Sequence, residues 1–250
     1  MAGSFKFKQF TVSNELSAQK VGTDGVLLGA WVHLDGTEKH ILDVGTGTGV
    51  IALMLAQRTS RHSRLDRESV VVGIDIDAPS AKEAAANFNA SPWRTRMAAF
   101  RGDFRGLGGS EAHPLSFLRC KYDLIISNPP FFTGSLKAPD ERRSDARHSD
   151  TLTFRELAAE ASCLLSDEGR LAVIYPAEEA ENLAGTALEA GLFPVRICRV
   201  STKKGKAPKR VMMEFSRQKK EPLIEELFIQ EGEGYTEEYK SLTRDFYLKF

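Results

Sequence analysis

The chain has 250 residues, enough for one well-buried domain with extensions, and its 42% hydrophobic and 27% charged content is that of an ordinary globular protein. Basic and acidic residues balance at 34 each, so net charge neither demands nor excludes a polyanionic partner. No apolar run approaches the roughly 18 residues a membrane span needs, and no signal peptide opens the chain, so the expected compartment is the cytoplasm, with no membrane contact.

From about residue 41 apolar strand-like runs alternate with helical patterns. Ile41–Val44 reads as a strand, and the spacing of Val50, Ile51, Met54 and Leu55 predicts a helix over Val50–Arg58. Val70–Ile74 is a β-branched run; its helix begins at Ala78, with Asp77 placed to cap it and Pro79 in the first turn. Met97–Arg101 is a third strand and Tyr122–Ser127 a fourth. Thr153 and Glu156 fit a capping box ahead of the apolar stripe Phe154, Leu157, Ala158, Ala161, Leu164 and Leu165. Leu171–Tyr175 is a fifth strand. A helix then starts at Pro176, with Glu178 and Glu179 in its first turn, and stops at Gly191. Phe193–Val200 and Lys209–Phe215 are two further strands joined by the short segment Ser201–Pro208, the pattern of an antiparallel hairpin. The implied architecture is α/β: a seven-stranded, mostly parallel sheet with an antiparallel C-terminal hairpin and helices on both faces. The 250 residues divide into an N-terminal extension (1–38), a core (39–216) and a C-terminal strand and helix extension (217–250). Tyr239, Leu242, Phe246 and Phe250 form a stripe suited to a terminal amphipathic helix docked on the sheet.

Cys120, Cys163 and Cys198 give neither a disulfide framework nor a paired-cysteine motif, and Cys163 and Cys198 read as buried residues of a helix and a strand. The five histidines show no metal-ligand spacing, so no metal is expected.

In sheets of this kind ligands bind outside the carboxyl ends of the strands, where the strand order reverses. Two segments follow strands and so fall on that edge. The first is Asp43-Val44-Gly45-Thr46-Gly47-Thr48-Gly49. Glycines at 45, 47 and 49 let the chain turn tightly into a helix and let a ligand approach the backbone. The spacing is not the G-x-G-x-x-G of a dinucleotide site. Asp43, read as pointing into the site, would repel a pyrophosphate and favour an ammonium or sulfonium centre. Asp75 ends the second strand, where an acid can accept both ribose hydroxyls. Asp103 follows the third strand, where a carboxylate could accept from an adenine amino group while Phe104 covers the ring.

The second segment is Asn128-Pro129-Pro130-Phe131. A planar amino nitrogen is a poor nucleophile because its lone pair is delocalised. Hydrogen bonds from its two N–H groups to the Asn128 amide oxygen and the Pro129 carbonyl would pull it towards tetrahedral. Two prolines hold that carbonyl in place by fixing φ and removing donors, and Phe131 offers a face for a base to stack on.

From the glycine loop through both acids to the fourth strand, this array resembles the Rossmann-like class I S-adenosylmethionine-dependent methyltransferases, and Asn128–Phe131 matches the motif of those acting on conjugated amino nitrogens. The resemblance implies S-adenosyl-L-methionine as cofactor and three possible acceptors: adenine N6, guanine N2 of ribosomal RNA, or a release-factor glutamine. The string Lys20-Val21-Gly22-Thr23-Asp24-Gly25-Val26-Leu27-Leu28-Gly29-Ala30-Trp31 resembles the start of the bacterial tRNA (adenine-N6)-methyltransferases that modify the adenine beside the anticodon of a valine tRNA. The ending Tyr235-Thr236, Tyr239, Leu242-Thr243 and Asp245-Phe246-Tyr247 is similar to theirs as well. By that likeness Lys20, Thr23 and Asp24 line the methionine end of the cofactor, though Thr23 or Asp24 would also serve as a plain helix N-cap.

Charge distribution agrees with an RNA substrate. Between Arg196 and Lys220 stand ten basic residues against the single acid Glu214. This segment, with Arg142, Arg143 and Arg147 in the loop Lys137–His148, supplies the expected phosphate contacts to the tRNA anticodon loop, whose unpaired bases are cheap to draw into a pocket.

Overall fold

The computed structural model describes residues 3–17, 19–62, 69–109, 111–130 and 152–249. The chain opens with a short antiparallel pair, β1 (Ser4–Lys6) and β2 (Thr11–Ser13), and helix α1 (Thr23–Trp31). Next come β3 (His40–Val44), α2 (Val50–His62), β4 (Val70–Asp75), α3 (Ala78–Asn89), β5 (Met97–Arg101) and β6 (Tyr122–Ser127). The second half holds α4 (Phe154–Leu164), β7 (Leu165–Pro176), α5 (Ala180–Glu189), β8 (Phe193–Lys203), β9 (Arg210–Ser216), β10 (Leu223–Glu231), β11 (Gly234–Tyr235) and α6 (Glu237–Thr243).

Nine strands form one sheet in the order β11-β10-β8-β9-β7-β6-β3-β4-β5, in which β9 and β11 run against the rest. The seven expected strands are all present. The hairpin β8–β9 also forms, with β9 inserted between β7 and β8. The two additional strands come from the glutamate-rich stretch after residue 220: β10 pairs in parallel with β8, and β11 folds back on β10. β7 is longer than expected and starts at Leu165, so that residue ends the α4 stripe by entering the sheet. The helix after Pro176 is entered through a short 3-10 turn, Ala177–Glu179.

The continuous apolar strands follow from cover on both faces. Ile41, Leu124, Ile126, Ala172 and Ile174 face a cluster with α1, α2, α3 and α6, while Leu42, Val44, Ile125, Leu171 and Val173 face one with α4 and α5. Caps set the helix starts. Asp77 accepts from Ser80 N–H at α3, and Thr153 with Glu156 forms the reciprocal capping box at α4. Helix α6 packs Tyr239, and the turn after it Phe246, into the first cluster; Phe250 lies outside the described residues. Cys198 is buried as expected, but Cys163 lies on the exposed side of α4.

The N-terminal segment is held by polar contacts rather than by apolar burial alone. From α3, the buried Glu83 accepts backbone N–H groups of Glu15 (2.6 Å), Leu16 (2.9 Å) and Ser17 (2.8 Å). Burial opposes the charge, but these bonds together hold the Glu83 carboxyl below its ordinary range. One turn on, Asn87 grips both backbone groups of Ser13 and the carbonyl of Thr48, tying this segment to the glycine loop. Bonds to a charged acceptor contribute about 1.5–3 kcal/mol each. Glu83→Ala is therefore expected to speed amide hydrogen exchange at Glu15, Leu16 and Ser17 by at least about tenfold, while strand amides of β3 and β6 keep their protection. Unchanged exchange at those three amides would show that other contacts hold the segment.

Candidate active site

Strands β3 and β6 are neighbours, and the order of the sheet reverses between them: β4 and β5 continue on one side, β7 on the other. Their last residues, Val44 and Ser127, are register partners. The Ser127 hydroxyl donates to the Val44 carbonyl at 2.8 Å and locks the two ends together. The chain then leaves β3 as the glycine loop and β6 as Asn128-Pro129-Pro130, side by side on the carboxyl edge.

The loop is pinned to the next strand. Gly45 and Thr46 donate to Ile74 O at 2.9 and 3.0 Å, and Gly47 N–H donates to Asp75 Oδ2 at 2.8 Å. Gly49 has φ +81°, and a Cβ there would stand 2.4 Å from the Phe88 ring, so no other residue fits. At Gly45, with φ +70°, a Cβ would meet nothing within 4 Å, which leaves bare backbone facing open space.

Two adjoining cavities occupy this edge. One, of about 240 Å³, is lined by the glycine loop together with Asp75, Ile76, Asp103, Phe104 and Ser127. The other, of about 540 Å³, is lined by the first turn of α1, the glycine loop and Asn128. Gln19, Gly45, Gly47, Pro129 and Pro130 border both. The result is a long cleft with an acid and apolar surface at one end and an amide and backbone carbonyls at the other. The bare Gly45 backbone, the Asp75 carboxylate and the exposed Ile76 beside it suit a nucleoside with an amino-acid tail.

The match to known proteins is extensive. Residues 16–184 match the methyltransferase small domain. Over 98% of its length the chain is 44% identical to a tRNA1(Val) (adenine(37)-N6)-methyltransferase of Bacteroides fragilis, covering 98% of that protein. It is 42% identical to a protein of the same name from Tolumonas auensis, covering 98% of the chain and 97% of the relative. The chain belongs to this methyltransferase family. Solved structures agree on the fold. A protein from Agrobacterium tumefaciens described as a predicted O-methyltransferase superposes with a TM-score of 0.64 at 16% identity, over 89% of this chain and 96% of its own. The CcbJ methyltransferase of Streptomyces caelestis gives 0.50 at 12% identity, over 77% and 94%. The fold is thus that of class I S-adenosylmethionine-dependent methyltransferases, and the family uses that cofactor.

Within this methyltransferase the residues expected to form the site separate into groups. Asn128, Pro129, Pro130, Gly45, Gly47, Asp75, Asp103, Phe104, Lys20, Thr23 and Asp24 all border the cleft. Phe131 and the loop Lys137–His148, with Arg142, Arg143 and Arg147, lie outside the described residues. Asp43 and Gly49 are corrections. Strand alternation turns Asp43 away from the cleft, to the face under α2, where it is fully buried. Its Oδ2 accepts from Thr46 Oγ1 (2.7 Å) and Ala52 N–H (3.2 Å), and its Oδ1 has no hydrogen-bond partner among the described residues. It anchors the loop from below. Gly49 serves the close packing on Phe88. Two further readings need adjustment. Gly22, not Thr23 or Asp24, is the N-cap of α1, and the Lys20 ammonium is turned to the carbonyls of Asn14 and Glu15. The Asp103 carboxylate, which burial alone would push up, is held below its usual range by the side chain and backbone of Arg105.

Sequence reasoning passed over Ser17, Gln19, Ile76, Ser127 and Leu152, which also line the cleft. Ile76 carried a signal, an apolar side chain in a turn between two aspartates. Ser17, Gln19 and Leu152 carried none, since single residues in irregular segments give no periodicity to read, and Ser127 read only as the end of a strand.

Burial pushes the Asp43 carboxyl up to about 7 from its usual 3.8. Below the usual value both folded and unfolded chains carry the proton. As pH rises from there, the unfolded chain sheds it while the fold keeps it, so stability falls by about 1.4 kcal/mol per pH unit. The loss is complete above pH 7 and is on the order of 4 kcal/mol. Asp43→Asn should therefore gain stability over the parent protein, without cofactor, as pH rises from 4 to 7 in denaturant titrations. Parallel stability curves across that window would show that Asp43 titrates normally.

Proposed function

We propose that this protein methylates the exocyclic N6 of an adenine in tRNA, at the adenine 3′ of the anticodon in a valine tRNA. The observation that carries this reading is the Asn128-Pro129 pair standing beside the glycine loop at the reversal point of the sheet, with both bordering one cleft. The name of the relatives, 41–44% identical over nearly the whole chain, supports the acceptor base and its position.

S-adenosylmethionine, when bound, supplies an electrophilic methyl group. Asp75, at the end of β4, is suited to accept the ribose hydroxyls. Ile76 and Phe104 supply apolar surface for the adenine ring, and Asp103 an acceptor for its amino group. Lys20, Thr23, Asp24 and the backbone of Gly45 and Gly47 would surround the methionine end. The Asn128 amide oxygen and the Pro129 carbonyl take the two N–H groups of the target amine, which frees its lone pair from the ring. Pro129 is buried, and its fixed φ holds that carbonyl still. An amide oxygen cannot keep a proton at neutral pH, so Asn128 acts by alignment and not as a general base. Alignment of this kind is worth up to about 7–11 kcal/mol in favourable cases. The proton lost from nitrogen leaves to solvent after transfer. The expected setting is the cytoplasm, where tRNA is found.

The basic segment divides in a way that supports an RNA surface on one edge only. β8 runs with β7, so the turn after Lys203 stands on the same carboxyl edge as Asn128 and presents the exposed Lys204, Lys206 and Lys209. β9 runs back, which carries Arg217, Lys219 and Lys220 to the opposite edge. Arg196 is spent inside the fold: it pairs with Glu225 and lies 4.3 Å over the Trp31 ring. Arg217 is taken by the carbonyls of Ser162 and Leu165.

Incubation with labelled cofactor and bulk tRNA, followed by digestion to nucleosides, should give labelled N6-methyladenosine; label on guanosine or on protein would defeat the proposal. Asn128→Ala should lower kcat by on the order of 100-fold or more while calorimetric cofactor affinity holds within about threefold. Equal loss of both would mean the residue serves the cofactor. Reversing Lys204 and Lys206 to Glu should weaken tRNA binding by at least about tenfold at low salt, whereas reversing Lys219 and Lys220 should not. Equal weakening by both pairs would argue for non-specific attraction.

A further inference from the structure

Two residues 186 positions apart meet at the rim of the second cavity. Arg210, the first residue of β9, donates from Nε to Asp24 Oδ2 at 2.8 Å. Asp24 lies in the first turn of α1, which forms the cleft wall opposite Asn128. That turn has little to fix it locally. Its cap, Gly22, offers no side-chain hydrogen bond, and the first backbone bond, Val26 N–H to Gly22 O, is long at 3.3 Å. Yet it stands where small movements count: a Cβ at Gly25 would lie 3.6 Å from Val50 and Ile51 and 3.8 Å from Asn128 Nδ2.

Arg210 is itself well anchored. Its backbone pairs with Pro176 at the end of β7 on one side and with Val200 of β8 on the other. Its Nη1 also donates to Lys209 O at 3.0 Å. Its guanidinium is thus engaged by Asp24 and Lys209 O, whereas Lys204 and Lys206 on the adjoining turn are exposed. Both partners of the pair are about a quarter to a third exposed, and such pairs contribute little to global stability. The consequence of this tether lies in geometry.

We propose that Arg210 is a positioning residue for methyl transfer: through Asp24 it holds the first turn of α1 against Asn128 and so sets the width of the cleft where the acceptor amine is gripped. This rests on the reaction proposed above. Arg210 touches neither acceptor nor cofactor in this role; it acts through Asp24 and the backbone of residues 22–25.

Steady-state kinetics on tRNA, with tRNA affinity and thermal melting measured in parallel, test it on Arg210→Ala, Arg210→Lys, Asp24→Asn and the double variant Arg210→Ala/Asp24→Asn. Arg210→Ala should lower kcat by about tenfold or more, with tRNA affinity within about threefold and the melting temperature unchanged. Arg210→Lys keeps a positive charge in reach of Asp24 and should recover most of the rate. The double variant should be no slower than the slower single one, because both substitutions cut the same link. An effect confined to KM for tRNA would make Arg210 a phosphate contact and overturn the proposal. So would losses that multiply in the double variant, or an Arg210→Ala rate equal to that of the parent. A parent protein that forms no N6-methyladenosine would instead defeat the underlying reaction.

Discussion

The shared end of β3 and β6 is the constraint on which the site depends. Adjacent strands lie roughly 4.8 Å apart and advance about 3.3 Å per residue, so segments leaving two register partners begin a single strand spacing apart. Val44 and Ser127 are such partners, tied by the Ser127 hydroxyl. Gly47 and Asn128, far apart in sequence, thereby border one cleft. Slippage by one residue would turn every side chain of β6 to the other face and carry Asn128 out of reach. Register is held by burial on both faces: Ile41 with Leu124 on one side, Leu42 with Ile125 on the other. The apolar core therefore sets the geometry of the polar site, and its members Val44, Ile74 and Phe104 line one end of the cleft.

Three acids around the cofactor loop show how environment divides one residue type into different tasks. Asp43 is sealed under α2, bonded to the loop through Thr46 and to the helix through Ala52 N–H, and its ionised form is disfavoured by burial. Asp75 stands at the rim. Burial raises its pKa as well, but backbone N–H groups of Asp77 and Gly47 work against the rise. Asp103 is held ionised by its bidentate partner Arg105. Only the latter two border open space, so the cleft offers acceptors for hydroxyl and amino groups, while the innermost acid orders the turn that brings a ligand near.

Much of this was legible in the sequence where the signal is local. Strands β3, β4 and β6 are dense apolar runs, the caps at Asp77 and Thr153 bond groups within three residues, and the glycine loop takes positive φ at Gly45, Gly47 and Gly49 that other residues rarely adopt. Signals that depend on distant partners were not legible. Glu83 looks like one more charge on a helix and is in fact the buried acceptor for three backbone N–H groups of the N-terminal segment. Asp43 looks like a ligand because it precedes a glycine loop, and only the pleat of β3 shows that it faces the helix. The basic run from 196 to 220 looks like one patch, yet the reversal of β9 sends its two ends to opposite edges of the sheet. A strand was expected in the extension after residue 216, but not its place in the sheet: β10 pairs in parallel with β8, whose edge no local pattern announces.

The cleft is bounded by parts that differ in how they are held. Gly45, Asn128 and Asp75 follow directly from strands buried on both faces, and such elements open only with the whole fold. Residues 13–17 and 19–25 are fastened differently, by Glu83 and Asn87 at one end and by an ion pair to Asp24 at the other. Few apolar contacts and many polar ones make a segment that can open locally without cost to the core. A methyltransferase site that takes both a cofactor and an acceptor is bounded here by both kinds of wall. The strand side fixes Asn128 and Pro129 beside the glycine loop, as alignment catalysis requires, and the other side is fastened through Glu83, Asn87 and Arg210. Placing the acceptors that align the amine on the sheet, and fastening the facing turn through Asp24 to Arg210 of β9, ties both walls of the reacting cleft to buried strands.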